Sequence, residues 1–212
     1  MKIQPVVIAY FTKSWVGPCF RSYYRYFSDP LLVINNNPQP HQRYWGLQCE
    51  EEREWLQKQN IIYVDSPARS EFAHPPNELS HGLAMDFAAS WCKEHGFDVM
   101  LHIEPDCMVV GTRWYDDLLS KIEHYQVVGK RKADWHIGNL THTTIDLAGS
   151  MWKINEVMSF VPRASPIIGI DWDTAQEAKF NAKSYLFDEL TGFIHYGAGS
   201  YRVETPYHLV GL

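Results

Sequence analysis

Phe97-Asp98-Val99-Met100-Leu101-His102-Ile103-Glu104-Pro105-Asp106 is an apolar run of strand length that carries straight into two acids one residue apart. Such a run bounded by turn residues reads as a buried strand. Ligands of open α/β sheets collect at the carboxyl ends of strands. Alternate residues of an extended segment point the same way, so Glu104 and Asp106 are expected to face one cation together. Hard divalent ions take oxygen ligands of this kind, and Mg²⁺ usually completes its shell with substrate phosphates. The plain alternative is a solvated acidic turn after a strand. An isolated acid-x-acid pattern does not separate the two, so the weight falls on its neighbours.

Upstream, strand-like and helix-like stretches alternate, which implies an α/β sandwich with a central, mainly parallel sheet. Strands are expected at 6–11, 31–34 and 61–64. A helix opened by Pro18 turns Cys19, Phe20, Tyr23, Tyr24 and Phe27 inward, and an acidic helix covers 50–59. The strongest helical pattern follows Ser80, its expected cap. Leu83, Phe87 and Trp91 form one stripe, with Ala84, Ala88 and Cys92 beside it, and Gly96 closes the helix. Downstream come a helix with Trp114, Leu118 and Ile122 inward and a short strand at Val127-Val128. A His-, Thr- and Gly-rich loop is expected over 135–144, and a strand entering a helix over 145–152. The last expected elements are a helix over 173–190, with Ala178, Ala182, Tyr185 and Leu186 inward, and a strand at 193–196.

With 212 residues the chain is expected to be one domain able to bury a full core. A net charge of −6 argues against general nucleic-acid binding, which needs clustered Lys and Arg. The short run Lys130-Arg131-Lys132 reads as a solvated face. No apolar run approaches the roughly 18 residues of a membrane span, and no signal-peptide pattern opens the chain. Cys19, Cys49, Cys92 and Cys107 form no CxxC pair and read as reduced thiols, so a cytoplasmic protein is expected.

In this order the pieces resemble a nucleotide-sugar-dependent glycosyltransferase of the GT-A fold, closest to the family-2-like members, from about Val6 to about Ser200. The first strand stands where that family begins its nucleobase pocket, which brings in Tyr10 and Thr12. The second ends in Asn35 and Asn37, where relatives place an acidic or amide residue near the base or ribose. His81-Gly82-Leu83-Ala84 resembles the glycine-containing helix that leads into the metal strand. Glu104-Pro105-Asp106 occupies the place of the DxD motif, with Glu in its first position. Gly169-Ile170-Asp171-Trp172-Asp173 precedes an expected helix, as does the family's Glu-Asp catalytic motif, with Ile170 in place of the Glu. The segment 193–200 resembles the C-terminal strand whose His completes the metal site in many relatives, which points to His195.

The resemblance implies a GT-A-like (Rossmann-like) α/β/α sandwich, with 1–110 as a nucleotide-sugar-binding half and 111–212 as an acceptor-side half, and a transferase that moves a sugar from a nucleoside-diphosphate sugar to an acceptor hydroxyl. It leaves the acceptor open among a saccharide, a lipid-linked group and a protein. It further implies Mn²⁺ or Mg²⁺ held by Asp106, Glu104 and His195, with inversion and a general base at Asp171 or Asp173. The second of these is also a credible helix cap. Nucleotide-sugar contacts fall to Tyr10, Thr12, Asn35, Asn37, His81, Glu104 and Asp106. Trp135, Trp152 and Trp172 are candidates to stack on a sugar or base, whereas Trp91 and Trp114 read as core. His102 reads as packed between strand and helix. Two rivals share these features: a sugar nucleotidyltransferase, disfavoured by the single glycine in Thr12-Lys13-Ser14-Trp15-Val16-Gly17, and a non-catalytic nucleotide- or carbohydrate-binding domain that kept the fold.

Overall fold

The computed structural model describes residues 1–9, 16–36, 54, 57–66, 78–137, 140–156 and 183–196. Four parallel strands begin the main sheet: β1 (Ile3–Ala9), β2 (Leu31–Asn35), β3 (Ile61–Asp65) and β4 (Val99–Ile103). The short strand β5 (Cys107–Val109) leaves this sheet. A long hairpin, β6 (Val127–Ile137) and β7 (Leu140–Lys153), then joins through β7, which runs antiparallel to both β4 and β6. Strand β8 (Ser184–Phe187) pairs parallel with β6, giving the seven-stranded order β3-β2-β1-β4-β7-β6-β8. Strand β9 (Phe193–His195) pairs antiparallel with β5 as a small separate sheet.

Side chains on a strand alternate between faces, and both faces of this sheet are covered. Val7, Ala9, Leu31, Val33, Val99, Leu101 and Ile103 pack with α1 (Val16–Tyr24) and α3 (Arg113–Ile122). Val6, Ile8, Leu32, Ile34 and Met100 pack with α2 (Glu78–Glu94) on the opposite face. Each fully buried aliphatic side chain contributes about 1.5–3 kcal/mol relative to exposure. The expected α/β/α sandwich with a mainly parallel sheet is therefore the architecture, and it is GT-A-like.

Helix α3 buries Trp114, Leu118 and Ile122, as its pattern implies. Helix α2 ends at Gly96, whose φ of +75° suits a residue without Cβ. The N–H of Gly96 bonds the carbonyl of Lys93 and that of Phe97 the carbonyl of Cys92, closing the end as a Schellman motif. The inner stripe of α2 is Ala84, Met85, Ala88, Ala89 and Cys92, with Phe87 and Trp91 at its margin. Ser80 lies inside the helix rather than capping it.

Further expectations are corrected, among them the helix expected to begin within 145–152, which is strand throughout as part of β7. Residues 135–137 and 140–144 are not loop: they stand on β6 and β7, which pair antiparallel there. Their threonines are β-branched and favour a pleated strand, and the pair Gly138-Asn139 between Ile137 and Leu140 is a two-residue hairpin signal in the sequence. The expected helix over 173–190 does not reach its end: Tyr185 and Leu186 stand on β8, where pairing with β6 supplies the backbone hydrogen bonds. Residues 173–182, with Ala178 and Ala182, lie outside the described residues.

Gly149 in β7 has φ +67°, and a Cβ there would stand 2.9 Å from the Phe193 ring. Gly149→Ala is expected to lower stability by about 1–3 kcal/mol, through a backbone conformation that suits glycine and displacement of Phe193. Thermal and urea unfolding of the two proteins measure it. Coincident curves would mean that the strand relaxes freely.

Candidate functional site

Glu104 ends β4 at the carboxyl edge of the sheet, and the chain turns at once. The N–H of Cys107 donates to the Glu104 carbonyl at 3.1 Å, closing a tight turn with Pro105 at its second position, where the fixed φ of proline fits. The two acids are thus gathered by a turn, not by strand alternation as the sequence suggested. Asp106 is buried and Glu104 partly so. The turn feeds β5, whose Cys107 pairs with His195 of β9, and the Tyr196 N–H donates to the Asp106 carbonyl at 3.3 Å.

His195 is therefore carried by backbone pairing to the acid turn. Its Nε2 lies 3.0 Å from Glu104 Oε2 and 3.5 Å from Asp106 Oδ1. Its Nδ1 lies 3.0 Å from Asp146 Oδ2. Asp146 belongs to β7, which runs back past the end of β4, and its other oxygen accepts the N–H of Ala148 at 3.2 Å. Three carboxylates, two from the turn and one from β7, surround one imidazole.

The electrostatics follow from this crowding. Burial opposes charge on His195, but hydrogen bonds to Asp106, Asp146 and Glu104 outweigh it and push its pKa up to about 12. Burial also opposes charge on Glu104, and the hydrogen bond and charge of His195, helped by His102 and His81, pull its pKa down to about 2. Burial, reinforced by Glu104 and Asp106, drives the Cys107 thiol well above its ordinary value.

Ligand atoms of Asp106, Cys107 and His195 all lie within 4.8 Å of one another. The oxygen and imidazole donors fit Mn²⁺ or Mg²⁺. The thiol does not, since burial and two neighbouring carboxylates hold it protonated. A cation taking Nε2 must displace its proton, so metal and proton compete here.

The remaining predicted residues divide clearly. Asn35 is buried at the end of β2, and its Nδ2 donates to Asp65 Oδ1 at the end of β3 at 2.9 Å. His81 faces His102 edge-on, with ring centroids 5.8 Å apart. His102 is buried, and its Nδ1 pairs with the Leu147 carbonyl at 3.0 Å. Trp152 is corrected: it is core, 1 % exposed, and its indole N–H donates to Ser150 Oγ at 2.7 Å. Tyr10, Thr12, Asn37, Asp171, Asp173 and Trp172, and the side chain of Trp135, lie outside what is described. Asp146 and Asp65 are not among the residues that the sequence motifs single out. Their signal is an acid interrupting an apolar strand, Ile145-Asp146-Leu147, and an acid ending one, Val64-Asp65.

No protein-family model matches the chain, and no curated protein sequence matches it significantly. Solved structures do. S. aureus TarS in complex with UDP-GlcNAc superposes with a TM-score of 0.56 at 12% identity, over 99% of this chain and 64% of that one. 4-Diphosphocytidyl-2C-methyl-D-erythritol synthase gives 0.55 at 8% identity, over 92% of each chain. The bifunctional IspDF of Campylobacter jejuni gives 0.55 at 8%, over 89% of this chain and 50% of that one. The chain spans less than two thirds of the TarS and IspDF chains. At these identities the likeness establishes the fold. Among the described residues no helix is long and apolar enough to cross a membrane.

The charge cluster sets a pH dependence for the metal-free protein. Glu104 stabilises fully above its unfolded value of 4.5, and that contribution is lost as pH falls through about 2. His195 stabilises fully below 6.5, and its contribution is lost as pH rises from there through about 12. Both are complete only between these unfolded values, near pH 4.5–6.5. In chelator, the melting temperature is expected to fall as pH rises from 6.5 to 9, and His195→Gln is expected to flatten that slope. An identical slope in the variant would remove His195 as its source.

Proposed function

We propose that the chain is a divalent-metal-dependent glycosyltransferase that moves a sugar from a nucleoside-diphosphate sugar to an acceptor hydroxyl with inversion. The observation that carries this reading is the convergence of Asp106, Glu104 and His195 at the carboxyl edge of a GT-A-like sheet. Asp106 and His195 would hold Mn²⁺ or Mg²⁺, with Glu104 beside them or on the ribose. When bound, such an ion supplies Lewis-acid stabilisation to a departing diphosphate. Asn35 and Asp65, at the same edge, offer amide and carboxylate oxygens to a base or ribose, and Tyr10, Thr12, Asn37 and His81 complete the donor side. The acceptor oxygen attacks the anomeric carbon as its bond to the diphosphate oxygen breaks. The hydroxyl proton passes to a carboxylate base, Asp171 in this reading, with Asp173 as the alternative.

The test is product analysis with a panel of nucleotide sugars and acceptors, with and without Mn²⁺. Release of nucleoside diphosphate matched by glycosylated acceptor supports transfer. Release of pyrophosphate from a nucleoside triphosphate and a sugar phosphate would instead make the protein a nucleotidyltransferase, and metal-dependent binding without turnover would make it a binding domain. Asp106→Ala is expected to abolish metal-dependent binding of nucleoside diphosphate. Unchanged affinity and metal dependence would reduce the acid pair to a turn.

Removing a general base costs rate far more than donor affinity. Asp171→Asn is thus expected to keep donor binding and lose transfer by about 100-fold or more. Asp173→Asn is expected to change stability by roughly 0.5 kcal/mol or less, since Asn also caps helices. Rates and donor affinities of both variants measure the assignment. A dead but folded Asp173→Asn protein would exchange the two roles.

A further inference from the structure

Asp146 has no part in the reading above, yet its carboxylate is the element that touches the far side of His195. It is a buried acid inside the apolar strand β7, with Ile145 and Leu147 buried on either side. A buried carboxylate is costly without hydrogen bonds, and both of its oxygens are engaged. Oδ1 accepts the Ala148 N–H at 3.2 Å, and Oδ2 lies 3.0 Å from His195 Nδ1. An ionised carboxylate accepts only, so Nδ1 must carry the hydrogen between them.

We propose that Asp146 is the positioning residue for His195. It holds the hydrogen on Nδ1 and fixes the ring so that Nε2 is the atom turned to Glu104 and Asp106. The extension of this role to a divalent cation on Nε2 rests on the metal reading above. Carboxylates that orient a ligating imidazole act in this way, and their loss typically weakens metal binding by about 10–100-fold.

The decisive variant is Asp146→Asn. An amide has one accepting oxygen, and the rigid Ala148 N–H claims it. The amide NH₂ then faces Nδ1, which must give up its hydrogen, so the hydrogen already on Nε2 becomes the only one on the ring and a cation displaces it less readily. A purely structural Asp146 behaves differently, because Asn still accepts the Ala148 N–H and leaves His195 as it was.

Two measurements on the full chain separate these roles. Two-bond ¹⁵N–¹H spectra of histidine-labelled protein, with His195 assigned through His195→Gln, report which ring nitrogen carries hydrogen. Calorimetry with MnCl₂ alone reports cation affinity. Wild type is expected to have a protonated Nδ1, and Asp146→Asn an unprotonated Nδ1 and an affinity weaker by about 10–100-fold. An Nδ1 that stays protonated in the variant overturns the proposal. So does equal Mn²⁺ affinity in the two proteins when wild type binds the ion. If wild type binds no Mn²⁺ while Nδ1 loses its hydrogen in the variant, the metal reading fails and the positioning role stands.

Discussion

One imidazole held among three carboxylates is the constraint around which this end of the molecule is arranged. Glu104, Asp106 and Asp146 come from a turn and a strand that are neighbours in space but not in sequence, and each meets His195. Like charges brought this close in a partly buried volume repel one another. A positive charge at their centre, from an imidazolium or a cation, turns repulsion into cohesion. The same geometry that stabilises the metal-free cluster prepares it for an ion, because a cation need only replace one proton on Nε2.

Backbone pairing delivers these groups, rather than side-chain reach. Pro105 bends the chain directly after β4, so β5 leaves the main sheet and takes β9 as its partner, with Cys107 opposite His195. Strand β7, the one member of the main sheet that runs against the rest, brings Asp146 back past the same edge. Phe193, two residues before His195, packs on Trp114 of α3 with centroids 4.7 Å apart and lies against Gly149 of β7. The site is thus joined to the core through β9.

Where the fold departs from local sequence pattern, the causes are specific contacts. Thr, His and Gly between 135 and 144 resemble loop composition, but in a hairpin the partner strand satisfies the backbone and composition ceases to matter. Tyr185 and Leu186 fit a helical stripe, but pairing with β6 makes them a strand. Trp152 looked like a ligand platform because aromatic residues serve both packing and recognition. Its indole N–H finds Ser150 inside the core, which leaves the ring no free face for a sugar.

The sequence by itself determined the class of fold and the edge at which chemistry collects. Alternation of period two and period 3.6 is a local property, written in runs such as Val6-Val7-Ile8 and in the spacing of Trp114, Leu118 and Ile122. The acids after β4 and the histidine near the end of the described chain were legible as candidates for the same reason. Only the tertiary structure decided that β5 pairs with β9 and that Asp146 stands behind His195. These are contacts between residues about 50 to 90 positions apart, set by strand register, and no local pattern encodes which distant carboxylate an imidazole will meet.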